Sequence, residues 1–143
     1  MKLPNQSKEF TMKSLFTTAA AATFLAVAAL TPTLSSAEEV AVTGTFTGAN
    51  NHITTGGVTV VKTEGGGAIV ILDTDFSLDG APDPSVGFGK DGEYVKASDL
   101  GDLVNFGGLQ AYVVPASVNV DDFNEVYIWC DEFSVSLGVA SLK

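Results

Sequence analysis

The only thiol of the chain, Cys130, lies in the stretch VYIWCDEFSVSLGVA, directly after the only tryptophan, Trp129. A single cysteine cannot close an internal disulfide. A free cysteine most often packs as a small hydrophobe. Its other use is as a nucleophile or ligand, and both need the thiolate. Asp131 and Glu132 follow it, and carboxylates beside a sulfur disfavour a bare thiolate. The only histidine is His52, in GANNHITTGG. It reads either as a loop residue capping a turn or as a ligand or proton carrier.

Most metal and hydrolytic chemistries fail on residue supply. A blue-copper site needs two histidines and a cysteine, and a structural zinc site needs four Cys/His ligands. Neither can be built from one of each. No CxxC pair and no CxxCH haem attachment is present, and no nucleophile-elbow motif supports a Ser-His-Asp triad. Acidic pairs are abundant enough to arise by chance, so paired-carboxylate glycoside hydrolysis has no specific support. Asp73, Asp75 and Asp79 in DTDFSLDG are spaced like calcium ligands, but the EF-hand positions for glycine and glutamate hold Leu78 and Pro84. Asp and Gly here fit a turn better.

The elements that must position these residues are strands. VAVTGTF, GGVTVVK, GGAIVIL, LQAYVVP, EVYIWC and FSVSLGVASL are short β-branched or aromatic runs bounded by Gly, Pro or Asp, which is the signature of strands. GGVTVVKTEGGGAIVIL predicts a hairpin around Thr63–Gly67, and APDPSVGFG a turn leading into a short strand. KASDLGDLVNF allows one helical turn capped by Ser98. No long run has helical spacing. The pattern predicts an all-β, single-domain antiparallel β-sandwich. In the last strand, alternation puts Phe133, Val135, Leu137 and Val139 on the core face and Ser134, Ser136 and Gly138 in solvent. Carried back without interruption, it would bury Asp131, which is costly for an unpaired charge. A bulge at Asp131-Glu132 is therefore expected, returning Cys130, Ile128 and Val126 to the core.

The first residues have the layout of a cleavable export signal. Lys2, Lys8 and Lys13 precede an alanine-rich apolar run from Leu15 to Leu30, and Ser35 and Ala37 are the small residues before the cut. Residues 1–37 are read as the signal peptide, with Met1 or Met12 as the start, and residues 38–143 as the domain. The run is too short and too interrupted by threonine for a membrane span, so no anchor is expected after cleavage. The exported domain holds four lysines, no arginine and sixteen acids, a net charge of −12. That charge excludes nucleic acid as a partner, suits solubility, and would attract a cationic protein.

Four blocks in order resemble the DM13 domain: GTFTGANNHITTGGVTVV, AIVILDTDFSLDGAPDPSVGF, LGDLVNFGGLQAYVVPA and VYIWCDEFSVSLGVASL. They run from Gly44 to Leu142, and the IWC-x-x-F block is the most specific. The resemblance implies a β-rich, often extracytoplasmic electron-transfer domain. In it a cysteine is the redox group, as a bare thiol or through a bound group such as haem. By position that cysteine is Cys130, its neighbouring tryptophan is Trp129, and His52 falls where the first block carries its histidine. The sequence departs from the pattern at APDPSVGFG, where Pro84 and Gly87 interrupt a strand. The expectation is a periplasmic or extracellular redox module, not a hydrolase, centred on Cys130 and exchanging electrons with a cationic partner. The cofactor is haem or none. A thiolate-bound iron would have only His52 as an imidazole partner, so such a site needs His52 close to Cys130, with Trp129 on the opposite strand face. The rival expectation is a binding or adhesion module in which the cysteine only packs.

Overall fold

A computed structural model describes residues 40–143, and the expected signal peptide, residues 1–37, lies outside the described residues. Eleven strands follow one another as β1 (Ala41–Gly48), β2 (Thr54–Thr55), β3 (Gly57–Lys62), β4 (Ala68–Leu72), β5 (Ser77–Leu78), β6 (Pro84–Lys90), β7 (Glu93–Tyr94), β8 (Gly101–Asp102), β9 (Gln110–Val114), β10 (Glu125–Cys130) and β11 (Val135–Ser141). Two single 3-10 turns, Lys96–Ser98 and Val120–Asp122, are the only helical segments among the described residues.

All pairings are antiparallel, and nine strands form one sheet in the order β7-β6-β10-β11-β1-β3-β4-β9, with β8 on the edge of β6. Strand β1 holds its two halves together. Ala41 to Thr45 pair with β3, while Phe46 to Gly48 pair with β11. The sheet thus curls, and its halves enclose a single core. Val58, Val60, Val70, Leu72 and Tyr112 contribute from one half, and Val86, Phe88, Val126, Ile128, Cys130 and Leu137 from the other. Burial of this apolar set is the main favourable term in the fold. The predicted all-β antiparallel architecture is the observed one.

The hairpin at Thr63–Gly67 forms as predicted. Its turn is closed by the Thr63 amide on Gly67 O at 3.2 Å, and Gly65, Gly66 and Gly67 all take positive φ. Pro84 opens β6, a position where a missing N–H is tolerated. The helical turn near KASDL exists, but Ser98 does not cap it. Ser98 is buried instead, and its hydroxyl donates to Val95 O and accepts the Phe88 amide at 2.9 Å, tying the turn to β6.

The last hairpin departs from its expected phase. β10 stops at Cys130, and Asp131 to Ser134 form the turn, with Ser134 at φ 51°. Phe133 lies in that turn and is 64% exposed, not in the core. The bulge lies further on. Ile128 pairs with Gly138 and Trp129 with Ser136, so Leu137 is the extra residue. Its freed carbonyl accepts the Ala49 amide at 3.0 Å and the buried Thr54 hydroxyl at 2.7 Å. The shift moves Ala140 into the core and leaves Val139 opposite Tyr127 on the outer face. Asp131 avoids burial through the turn, so no bulge is needed there.

Candidate functional site

Cys130 is the last residue of a central strand, between Pro84 of β6 and Val135 of β11. It is 1% exposed and joins the main core, together with Val126 and Ile128 on the same face, as the sequence implied. Its Sγ–H donates to Pro82 O at 3.1 Å. The Asp131 amide beyond it donates to Asp83 O at 3.1 Å. The Pro82-Asp83 segment therefore lids the sulfur from one side.

Of the two carboxylates expected to oppose a thiolate, Asp131 is engaged elsewhere and Glu132 is exposed in the turn. Asp131 is ion-paired with Lys96, which also binds Asp99 at 3.2 Å. The Lys96 ammonium is held well above its usual range, by Asp131 first and Asp99 next, against the opposing effect of burial. The negative charge nearest the cysteine in sequence is thus partly neutralised.

Strand alternation sends Trp129 to the opposite face from Cys130. There its indole stacks on Tyr94 of β7, with ring centroids 4.4 Å apart and planes 14° from parallel. Tyr127 leans on the same tyrosine at 5.7 Å. The floor under these rings is backbone. A Cβ on Gly87 would lie 2.7 Å from the Tyr94 ring, and one on Gly89 2.1 Å from the Tyr127 ring. The glycines that interrupt this block of the sequence are what let the aromatic rings lie flat on β6.

Tyr94 donates its hydroxyl to Asp99 Oδ2 at 3.0 Å. Burial first, and then the Asp99 carboxylate, hold the phenol far above its ordinary range. Burial alone would raise Asp99, but the Gly101 amide, the Tyr94 hydroxyl and Lys96 together outweigh it and hold the carboxyl below its ordinary range. At neutral pH the pair is therefore phenol and carboxylate. Ser85, opposite Trp129 on β6, is fully buried, and among the described residues its Oγ has no hydrogen-bond partner. It lies close enough to the Tyr94 hydroxyl to offset the rise slightly, though not at hydrogen-bonding geometry.

His52 follows the turn at Asn50 and Asn51, both of positive φ, and its amide closes that turn on Ala49 O at 3.0 Å. Its Nδ1 meets Asp79 Oδ1 at 3.1 Å at the partly exposed rim. Among the described residues no hydrogen bond joins His52 to Cys130. Each touches a different part of one loop, His52 at Asp79 and Cys130 at Pro82. No group of three or more His, Cys, Asp or Glu among the described residues is arranged to hold a metal ion. Asp73 and Asp75 bind Thr59 and the Gly57 amide as turn residues do. A haem does not fit this arrangement, because a sulfur sealed in the core and bonded to a carbonyl leaves no face for a macrocycle.

Sequence spacing could not reveal Tyr94, Asp99, Lys96 and Ser85, since only pairing of β6 with β7 and β10 brings them to Trp129. No curated protein and no solved structure matches the chain. A protein-family model described as electron transfer DM13 matches residues 45–142, more than half of the chain and all of the curled sheet except the first four residues of β1. The chain belongs to the DM13 family.

Proposed function

We propose that this chain is an exported electron-transfer module in which Cys130 is a redox-active bare thiol. The match to an electron-transfer family carries the reading. The export layout before Glu38 and the IWC-x-x-F block supplied by Cys130 support it. The partial neutralisation of Asp131 by Lys96 removes one objection to a reactive sulfur at this position. The thiol is buried, so chemistry at sulfur needs the Pro82-Asp83 segment to open and release its hydrogen bond. The module is then slow and selective rather than a surface scavenger. A cationic redox partner suits the net charge of the domain, and the exported form would begin at Glu38.

A second reading has its own observation. A sulfur 1% exposed with its proton on Pro82 O is also what a cysteine serving only as packing looks like, and the domain would then be a binding or adhesion module. Incubation with oxidised glutathione separates the two. The redox reading expects the folded protein to gain one glutathione on Cys130 by mass, releasing one reduced glutathione, and to lose it reversibly with dithiothreitol. Adduct formation only after unfolding would overturn it. Intact mass of the exported protein tests the cut after Ala37, and a mass that retains Leu15 to Leu30 would overturn that part.

A further inference from the structure

Tyr94, Trp129, Asp99 and Ser85 form a second redox-competent constellation on the face opposite the cysteine. We propose that Tyr94 is a proton-coupled one-electron relay, with Asp99 as its proton acceptor and the stacked Trp129 as its electronic contact. The proposal deepens the electron-transfer reading and rests on it. The chemistry balances at one site. A one-electron oxidant, such as an oxidised metal-centred carrier, takes one electron from the phenol. The phenolic proton moves along the 3.0 Å hydrogen bond to Asp99 Oδ2. The ring becomes a neutral phenoxyl, the carboxylate becomes the acid, and the carrier is reduced by one electron. A one-electron donor reverses each change.

Three observations single out Tyr94. It is the one tyrosine of three with a carboxylate acceptor at short distance. Tyr112 donates to the neutral amide Gln110 Oε1 at 2.8 Å, and Tyr127 reaches Glu125 only at 3.4 Å. It is the one stacked on an indole, and the indole belongs to the residue covalently joined to Cys130. And the buried Ser85 hydroxyl beside it has no hydrogen-bond partner among the described residues. Both rings of the stack are half-buried, so an outside carrier can come within tunnelling contact. Asp99 and Lys96 are the charged groups facing Tyr94. Lys96 is also held by Asp131, and Glu93 and Glu125 face Tyr127.

Flash photolysis tests this on the intact exported domain, with a photo-oxidised ruthenium tris-bipyridine as the oxidant and the tyrosyl radical read by its absorbance and electron paramagnetic resonance. The wild type is expected to give a neutral tyrosyl radical that Tyr94→Phe abolishes and Tyr112→Phe leaves intact. Asp99→Asn is expected to slow radical formation on the order of 10²-fold, the scale of losing a positioned base. Circular dichroism establishes that each variant is folded, and Tyr94→Phe keeps the ring stack if a single variant fails. A full-strength radical in Tyr94→Phe, or an unchanged rate in Asp99→Asn, overturns the relay. The glutathione experiment on Cys130 is run on the same proteins. A failed relay with an intact thiol response overturns the relay alone, while failure of both overturns the electron-transfer reading as well.

Discussion

Individual side chains divide by whether alternation survives to their position. Leu137 is 0% exposed and supplies the extra residue of the bulge. Leu137→Ala should cost about 2–5 kcal/mol, the range for a buried large-to-small change. Phe133, in the turn, should tolerate alanine within about 0.5 kcal/mol as exposed positions do. Urea denaturation of both variants checks this, and equal costs would contradict the placement of the turn. Tyr127 gives a titration handle. Burial first, then Glu125, pushes its phenol from 10.0 up to about 12. The raised value favours the protonated folded form, so its contribution is complete below pH 10 and is lost as pH rises from 10 towards 12. Stability of the wild type should therefore fall more steeply over that window than stability of Tyr127→Phe. Parallel curves from thermal melts at stepped pH would contradict it.

Strands were legible in the sequence wherever a β-branched run met a glycine or proline, because both signals are local. β3, β4, β9 and β10 stand where the pattern puts them. The phase of β11 was not legible. Its bulge answers to Thr54 and Ala49, residues more than eighty positions earlier that capture the Leu137 carbonyl. The burial of the thiol was expected only by way of a bulge at Asp131-Glu132, and a turn at those residues achieves it instead, while the Tyr94 constellation needed the pairing of β6 with two strands distant in sequence. Glycines mark both hidden features. A Cβ at Gly138 would lie 2.6 Å from the Thr54 side chain, so Gly138→Ala should cost about 1–3 kcal/mol as overpacking does. Gly87→Ala should lift Tyr94 off β6 and break its stack with Trp129. A shift in tryptophan fluorescence and loss of the near-ultraviolet dichroism band, with the far-ultraviolet spectrum kept, would report this. An unchanged fluorescence spectrum would show that the rings do not depend on that floor.

At the scale of the whole molecule, a sheet that curls about β1 leaves its aromatic face outward on one half and its thiol inward on the same strand. Trp129 and Cys130, the proposed electronic contact and the proposed thiol, are then one peptide bond apart and on opposite faces of the strand. Access differs accordingly, since a carrier can reach the half-buried stack without opening the core. What approaches is selected by charge. The segment from Glu38 has four lysines against sixteen acids, and such a field concentrates cations and repels anions over roughly 10 Å at 0.1 M salt. Electron exchange with a strongly oxidising cationic carrier, ruthenium(III) tris-bipyridine, should therefore be faster than with the anionic oxidant hexachloroiridate(IV) after allowance for their different driving forces. Added salt should slow the first and speed the second. Stopped-flow rates across ionic strength decide it. Equal salt slopes for the two carriers would show that the acidic surface does not steer the encounter, and the cationic partner would lose its physical basis.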